Sequence, residues 1–419
     1  MSRPDRLDLF HGEDRVASVH DSAPLEFEYT AEWLARAEPL PVAAIPLAPG
    51  RQSSAAVQAF LENLLPEGEL RDYLAQQKKA STLFSLLYEV AGDTAGAFVI
   101  LPAGERPEPP SYEATSWQAL AGVLASKSAS AIDIKGHHAR ISLAGAQDKA
   151  SLALFEDGIP RLPRGTSPST HILKPDIRRL AKVWHSAANE AATMRAAAMC
   201  GLPTADVFYE PNTQACVVKR FDRIERADGT LGRLLQYDLC QLAGTVSEKK
   251  YEVEGGPGAG RCAELIRQYS TQPAVDLKNF VAWIFFNLYS GNNDSHAKNL
   301  SLYRVPGTGM KLTPFYDLMC TRIYPALSPQ FAFSIGGETM PGAISRAHAV
   351  ALAETLGMRP AFVLGIAEEL AGKMPGAIGD AVASISPDLS PGARTLARRL
   401  EQFVVSTTRQ ISSRLLQAS

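Results

Sequence analysis

Cysteine is scarce in this chain. Its 419 residues include five, Cys200, Cys216, Cys240, Cys262 and Cys320, odd in number and never spaced as Cys-x-x-Cys. That argues against a disulfide framework or a cysteine-based zinc site and for buried free thiols. Long apolar runs are missing too. The most apolar helical stretch, Phe280–Tyr289, is far shorter than the roughly 20 residues a membrane span needs. Met1–Phe10 is charged and lacks the apolar core of a signal peptide. A cytoplasmic protein without a membrane partner is expected. A dominant charge is also absent. The formal net charge is −2, so no global field draws the chain to DNA or to an anionic bilayer, and any nucleic-acid contact must come from a local patch or a partner. No repeat of solenoid period is visible.

What is present is the composition of a globular protein, 46% apolar and 21% charged. The length exceeds what one core accommodates, so two or three domains or lobes are expected. Leu7–Phe10, Leu25–Tyr29 and Ala97–Leu101 read as strands, and Ala55–Leu65 and Gly68–Gln76 as helices. Pro102–Pro110, rich in proline and charge, marks a boundary. Residues 139–223 carry β-type runs at Ala139–Leu143, Ala150–Phe155, His171–Lys174, Val207–Glu210 and Ala215–Phe221, around one helix over His185–Cys200 that stops at Gly201 and Pro203. After about Tyr237 the pattern is mostly helical, except near Leu300–Tyr303 and Lys311–Tyr316. The expectation is an α+β chain with a bilobal, protein-kinase-like fold. Residues 1–105 form an N-terminal α/β subdomain, 106–236 a β-rich lobe and 237–419 a helical lobe.

The most informative segment is Gly291-Asn-Asn-Asp-Ser-His-Ala-Lys-Asn-Leu300. Asp294 and Asn299 stand as Asp-x-x-x-x-Asn, the catalytic-loop spacing of protein kinases, in which the Asp accepts the hydroxyl proton and the Asn binds magnesium. The preceding His-Arg of ordinary kinases is absent. Downstream, Leu312-Thr-Pro-Phe-Tyr-Asp317 ends an apolar run on the carboxylate expected as the second ligand. Mg²⁺ takes hard oxygen donors, few of them from protein, which one amide and one carboxylate suit. Asn-Asn-Asp-Ser is equally good turn chemistry, and Asp often caps helices, but a turn has no need of the distant Asp317. A kinase also needs a strand lysine paired with a helix glutamate. His171-Ile-Leu-Lys174 supplies the lysine, kept extended by Pro175, and Glu190 lies in the following helix. A solvated helix face is the plainer reading of Glu190, and an edge-strand lysine that of Lys174. Leu143-Ala-Gly-Ala-Gln-Asp-Lys149 has one glycine and matches neither Gly-x-Gly-x-x-Gly nor a Walker loop. Its small residues admit phosphate oxygens to backbone N–H groups, though a hairpin turn has the same look.

Six ordered motifs resemble the HipA family of toxin kinases from bacterial toxin–antitoxin pairs: Arg140-Ile-Ser-Leu-Ala-Gly-Ala-Gln-Asp-Lys149, Thr170-His-Ile-Leu-Lys174, Lys219-Arg-Phe-Asp-Arg223, Gly255-Gly-Pro-Gly258, Asn293-Asp-Ser-His-Ala-Lys-Asn299 and Leu312–Asp317. Leu61-Glu-Asn-Leu-Leu-Pro-Glu67 is similar to that family's N-terminal part. The resemblance implies ATP and Mg²⁺ as cofactors and Asp294 as proton acceptor. It implies a loop over the ATP phosphates made by Ala144, Gly145, Ala146, Gln147, Asp148 and Lys149, with Lys174 on the phosphates. Lys219, Arg220 and Phe221 would form a hinge beside adenine. His296, Ala297, Lys298, Asn299, Tyr316 and Asp317 would complete the nucleotide site, with Asn299 and Asp317 on the metal. Ser142 matches a serine that family members phosphorylate on themselves, where the added charge would compete with nucleotide phosphates. The implied partners are a small helix-turn-helix antitoxin of the HipB kind, operator DNA through that complex only, and a protein substrate, an aminoacyl-tRNA synthetase.

Rival readings are a DNA-binding protein, a metal-dependent hydrolase and a catalytically silent co-repressor. Leu352-Ala-Glu-Thr-Leu-Gly357 followed by Val363 and Ile366 has helix-turn-helix spacing, but Pro360–Ala371 carries Glu368 and Glu369 and no basic residue. A pair of packed helices is favoured. The last helix presents Arg394, Arg398, Arg399, Arg409 and Arg414, either a stripe toward DNA or a solvated face. A hydrolase on Asp294, His296 and Asp317 would need more histidine ligands, and the eight histidines are isolated apart from His137–His138.

Overall fold

A computed structural model describes residues 4–90, 93–125, 149–178, 180 and 182–416. Ser142, Ala144–Asp148 and the expected strand Ala139–Leu143 lie outside the described residues. The chain divides into two interleaved units: Met1–Ile172, Arg220–Lys249 and Tyr303–Val305 in the first, and Leu173–Lys219, Lys250–Leu302 and Pro306–Ser419 in the second.

In the first unit a five-stranded antiparallel sheet has the order Arg51–Gln52, Glu26–Tyr29, Asp14–His20, Arg6–His11, Phe98–Pro102. Leu7, Leu9, Val16, Val19 and Phe27 bury its apolar side chains. The helix Ala55–Asn63, whose N-terminus is capped by Ser54 Oγ on the Val57 N–H at 3.3 Å, places Phe60 edge-on to Phe27 and Phe98. The helices Gly68–Lys78, Leu83–Val90 and Trp117–Ala125 follow, with two small antiparallel pairs, Ser111–Ala114 with Arg161–Arg164 and Arg223–Glu225 with Leu231–Arg233.

The second unit is mostly helical. An antiparallel pair, Val207–Glu210 with Ala215–Lys219, packs on the helix Ser186–Met199. That helix is alanine-rich and buried from Ser186 to Ala197 except at Arg195. Small side chains let it be covered on several sides, here also by the helices Pro360–Ile385 and Pro391–Leu416. The helix Pro273–Ser290 is an anchor: Phe280, Trp283, Phe285, Phe286 and Tyr289 are fully buried, each worth about 1.5–3 kcal/mol over an exposed side chain. No helix among the described residues is long and apolar enough to cross a membrane. All five cysteines are buried and unpaired with one another.

Several expected elements are shorter in the structure. The run Ala150–Phe155 is a strand only over Ala150–Leu152. Ala215–Phe221 ends at Lys219, where the chain leaves the hairpin and Arg220 turns its side chain into a buried ion cluster. Lys311–Tyr316 becomes Gly309–Leu312, since Pro314 has no amide to donate and the chain then bends to Asp317. The helix-turn-helix candidate is resolved as a pair of core helices: Arg346–Thr355 is followed by Pro360–Ile385, whose Val363, Leu364, Ile366, Ala367 and Leu370 are buried. In the last helix, Arg394 Nε donates to the Leu389 carbonyl and Arg414 to those of Ile344 and Pro341. Of the five arginines, Arg394, Arg398, Arg399 and Arg409 are exposed and Arg414 is half-buried.

Candidate functional site

The helix Pro273–Ser290 stops at Gly291, whose φ is +75°. A Cβ there would lie 2.8 Å from Phe403 Cε1, so backbone conformation and space both require glycine. The turn that follows is held by its own buried amides. Asn292 Nδ2 donates to Asn287 Oδ1 at 2.8 Å, and the Asp294 N–H to Asn292 Oδ1 at 3.2 Å. The Asn293 N–H donates to Thr321 Oγ1 at 2.8 Å, and Asn293 Nδ2 to the Ser328 carbonyl at 3.0 Å. Of residues 291–300, Asp294 alone is exposed. Its carboxylate caps no helix, because the short 3-10 turn Ala297–Asn299 begins after His296 without a side-chain cap. The turn is built to hold one carboxylate outward.

Asn299 Nδ2 donates to the Asp294 main-chain carbonyl at 3.0 Å, which uses the donor end of the amide and leaves its oxygen as the acceptor end. The Tyr316 hydroxyl hydrogen-bonds to Ser301 Oγ at 2.8 Å and to the Lys298 carbonyl at 3.3 Å, tying the segment before Asp317 to the turn that carries Asp294. Asp317 itself sits at φ +59°, a left-handed conformation that Asp tolerates better than most residues.

The lysine is at the centre. Lys174 Nζ donates to Glu190 Oε1 at 2.5 Å and to Asp317 Oδ1 at 2.7 Å. Lys174 is 6% exposed and Glu190 1%, so neither is a solvated surface group. Asp317 is different: its side chain is 44% exposed. Burial pushes the Lys174 amine down, but Asp317 and then Glu190 more than reverse this and hold the ammonium well above the ordinary lysine value. A permanent positive charge is thereby fixed beside an accessible carboxylate. The helix carrying Glu190 is joined to the Asp317 segment at Asn189, whose Nδ2 donates to the Cys320 carbonyl at 2.9 Å and whose Oδ1 accepts the Cys320 N–H at 3.0 Å.

Asp294, His296, Ala297, Lys298, Asn299, Tyr316, Asp317 and Lys174 therefore all belong to the second unit. Of the phosphate-loop residues, Ala144, Gly145, Ala146, Gln147 and Asp148 lie outside the described residues, and Lys149 is buried in the first unit. Lys219 belongs to the second unit, Arg220 and Phe221 to the first. Lys219 is exposed, with Nζ 3.9 Å from Asp206 Oδ2, and the Phe221 ring lies edge-on to Tyr303.

The Arg220 side chain is held in a buried ion cluster. Within the first unit it donates to Asp222 through Nε at 3.0 Å and Nη2 at 2.8 Å, to Ser169 Oγ at 2.9 Å and to the Thr94 carbonyl at 2.8 Å. Arg223 Nη2 and Arg233 Nη2 reach Asp93 Oδ1 at 2.8 and 3.2 Å, and Arg220 Nη1 reaches Oδ2 at 3.3 Å. Burial alone would raise the Asp93 carboxyl, but Arg220, Arg223 and Arg233 together with the Ser169 hydroxyl hold it well below the usual carboxylate range. For Asp222, burial is likewise outweighed by Arg220 and Arg223, and its pKa falls to about 2. Burial and the neighbouring Arg220 lower Arg223 to about 10. Two contacts of this kind, Lys174 with Asp317 and Tyr251 with Asp294, were not visible as motifs.

Family models match in two places: the HipA N-terminal domain over residues 7–101 and the HipA-like C-terminal domain over residues 141–378. A Shewanella oneidensis protein, "Serine/threonine-protein kinase toxin HipA", is 30% identical over 91% of this chain and 89% of its own length. The protein Y4mE of Sinorhizobium fredii is 38% identical over 74% of this chain and 75% of its own. Among solved structures, the Shewanella oneidensis HipA in complex with HipB and operator DNA has a TM-score of 0.83 at 25% identity, covering 99% of this chain and all of that one. The expected α+β architecture is therefore that of HipA.

Proposed function

Since the chain belongs to the HipA family, we propose that it is a serine/threonine kinase, the toxin of a toxin–antitoxin pair, which moves the γ-phosphoryl of ATP to a protein hydroxyl. The observation that carries this reading is the Lys174 ammonium, buried between Glu190 and a half-exposed Asp317. A structural ion pair has no use for a second carboxylate left open to solvent, whereas phosphoryl transfer needs a fixed cation beside a metal-binding one.

The residues fit magnesium. The Asp317 carboxylate and the acceptor end of the Asn299 amide are hard oxygen donors on two segments tied through Tyr316, and few protein ligands are what Mg²⁺ requires. When bound, the ion would supply charge neutralisation at the phosphate oxygens. Lys174 holds its charge toward the same phosphates. Asp294 orients the acceptor hydroxyl and takes its proton as the bond to the γ-phosphorus forms and that to the bridging oxygen breaks, releasing ADP. Positioning and electrostatics supply most of the rate. By the family resemblance, residues 144–149 close over the phosphates, Ser142 is a self-phosphorylation site that shuts the enzyme down, and the external acceptor is an aminoacyl-tRNA synthetase. The antitoxin is of the HipB kind, which the Shewanella complex supports, and DNA is reached through it. The reading also divides the chain into residues 1–105, 106–236 and 237–419 and places it in the cytoplasm.

The test is transfer of labelled γ-phosphate from ATP to protein, with magnesium and with a chelator. Asp317→Asn is expected to abolish the magnesium dependence of nucleotide binding and to reduce transfer by about 100-fold or more. Unchanged magnesium-dependent affinity, read by calorimetric titration, would remove Asp317 from the site. ATP hydrolysis or transfer undiminished by the chelator would contradict the metal assignment as a whole.

A further inference from the structure

A residue that belongs to none of the site motifs touches the proposed base. Tyr251 lies just before Gly255-Gly-Pro-Gly258, in the same unit as Asp294. Its hydroxyl donates to Oδ1 of Asp294. Its ring stands edge-on to the His296 imidazole, centroids 5.0 Å apart and planes at 82°, and the Lys250 ammonium lies 5.3 Å from the ring centre. His296 Nε2 is 3.9 Å from the same Asp294 oxygen. The His296 side chain is 5% exposed and that of Asp294 53%, so a buried imidazole backs a phenol that reaches out to an exposed carboxylate. Among the described residues nothing in the chain holds Oδ2.

We infer that Tyr251 is the positioning residue of the base: it pins one carboxylate oxygen so that the other is presented to the acceptor hydroxyl. The inference rests on the reading of Asp294 as base. An exposed aspartate otherwise rotates about two side-chain torsions and spends little time in any one orientation. A charge-assisted hydrogen bond to one oxygen fixes the carboxylate plane, and a base oriented by a third group is the recurrent arrangement in proton-transfer sites. The phenol suits the task because its ring is seated against His296. Contact with His296 fixes the ring face, and the hydroxyl at its tip has no freedom beyond rotation of its proton.

The experiment compares full-length wild type, Tyr251→Phe, Asp294→Asn and the double variant, measuring labelled γ-phosphate transferred to the protein and to an added aminoacyl-tRNA synthetase over a range of Mg-ATP concentrations up to saturation. Phenylalanine keeps the ring against His296 and removes only the donor; an unchanged unfolding midpoint verifies that. The expected result is a kcat about 10- to 100-fold lower in Tyr251→Phe with KM for ATP unchanged, the loss typical of a misplaced reacting group. In the Asp294→Asn background the Phe substitution is expected to add nothing, because the two residues act as one unit. Wild-type kcat in Tyr251→Phe beside an inactive Asp294→Asn overturns the inference and leaves the base assignment standing. Faster transfer also overturns it, since the phenol would then be a competitor of the acceptor hydroxyl. An equal loss in the Asp294→Asn background does so as well, by placing the effect elsewhere. Wild-type transfer by Asp294→Asn removes the base assignment, and no transfer by the wild type to either acceptor removes the kinase reading; each takes the inference with it.

Discussion

Asp294→Asn is expected to lower phosphoryl transfer by about 10²–10⁴-fold, the span associated with a positioned general base, while leaving nucleotide affinity and folding unchanged. The asparagine is nearly isosteric, and the turn does not depend on the carboxylate. Its internal hydrogen bonds run through Asn292, Asn293, Thr321 and the Asp294 main chain. What is lost is the capacity to take a proton. Single-turnover transfer with labelled ATP, beside a direct binding titration, separates the two quantities. A variant that binds ATP normally and transfers at the wild-type rate would show that the exposed carboxylate is incidental to the turn.

The second large effect is expected within the first unit, at Asp93. Asp93→Asn keeps the size of the side chain and removes a buried charge that faces three guanidinium groups, those of Arg220, Arg223 and Arg233. Leaving buried charges unmatched costs about 3–5 kcal/mol, a large share of a typical domain's stability. Denaturant unfolding followed by far-ultraviolet circular dichroism checks it, and a midpoint within error of wild type would contradict it. The same cluster predicts a pH dependence. Asp93 and Asp222 have folded-state pKa values depressed below the ordinary aspartate value of 3.8, Asp222 to about 2. Their contribution is therefore fully present above that ordinary value and is lost as pH falls through the folded value. Wild-type stability is expected to be flat near neutrality and to drop between about pH 4 and pH 2, with a smaller drop in Asp93→Asn.

Much of the candidate site was legible because its pattern is local. Asp-x-x-x-x-Asn fits in one turn, and the strand His171–Lys174 and the helix bearing Glu190 follow from short-range pattern. The pairing of Lys174 with Glu190 was an open alternative in the sequence, and burial of both side chains decides it. What could not be read is the contact between segments distant in the chain. Asp317 meets Lys174 across 143 positions, and Tyr251 meets Asp294 across 43. The Arg220 side chain illustrates the same limit. Lys219-Arg-Phe-Asp-Arg223 was legible as a motif, but the partner that buries it, Asp93, is 127 positions away. Strand reading failed where alternation failed. Asp14–His20 buries Val16, Ala17, Ser18 and Val19 in succession, as a strand covered on both faces does, and so shows no period of two. The reverse error came at Lys311–Tyr316, where an apolar run with β character is bent by Pro314 toward a left-handed Asp317.

The most direct test of the account is intact-mass and peptide mass spectrometry of purified, initially unmodified protein after incubation with Mg-ATP, beside Asp294→Asn treated identically. The account predicts a gain of phosphate on a serine or threonine in the wild type alone, with the peptide containing Ser142 as the expected carrier. Wild-type protein that binds ATP yet gains no phosphate, and passes none to an added aminoacyl-tRNA synthetase, would contradict it and leave a catalytically silent co-repressor as the better description.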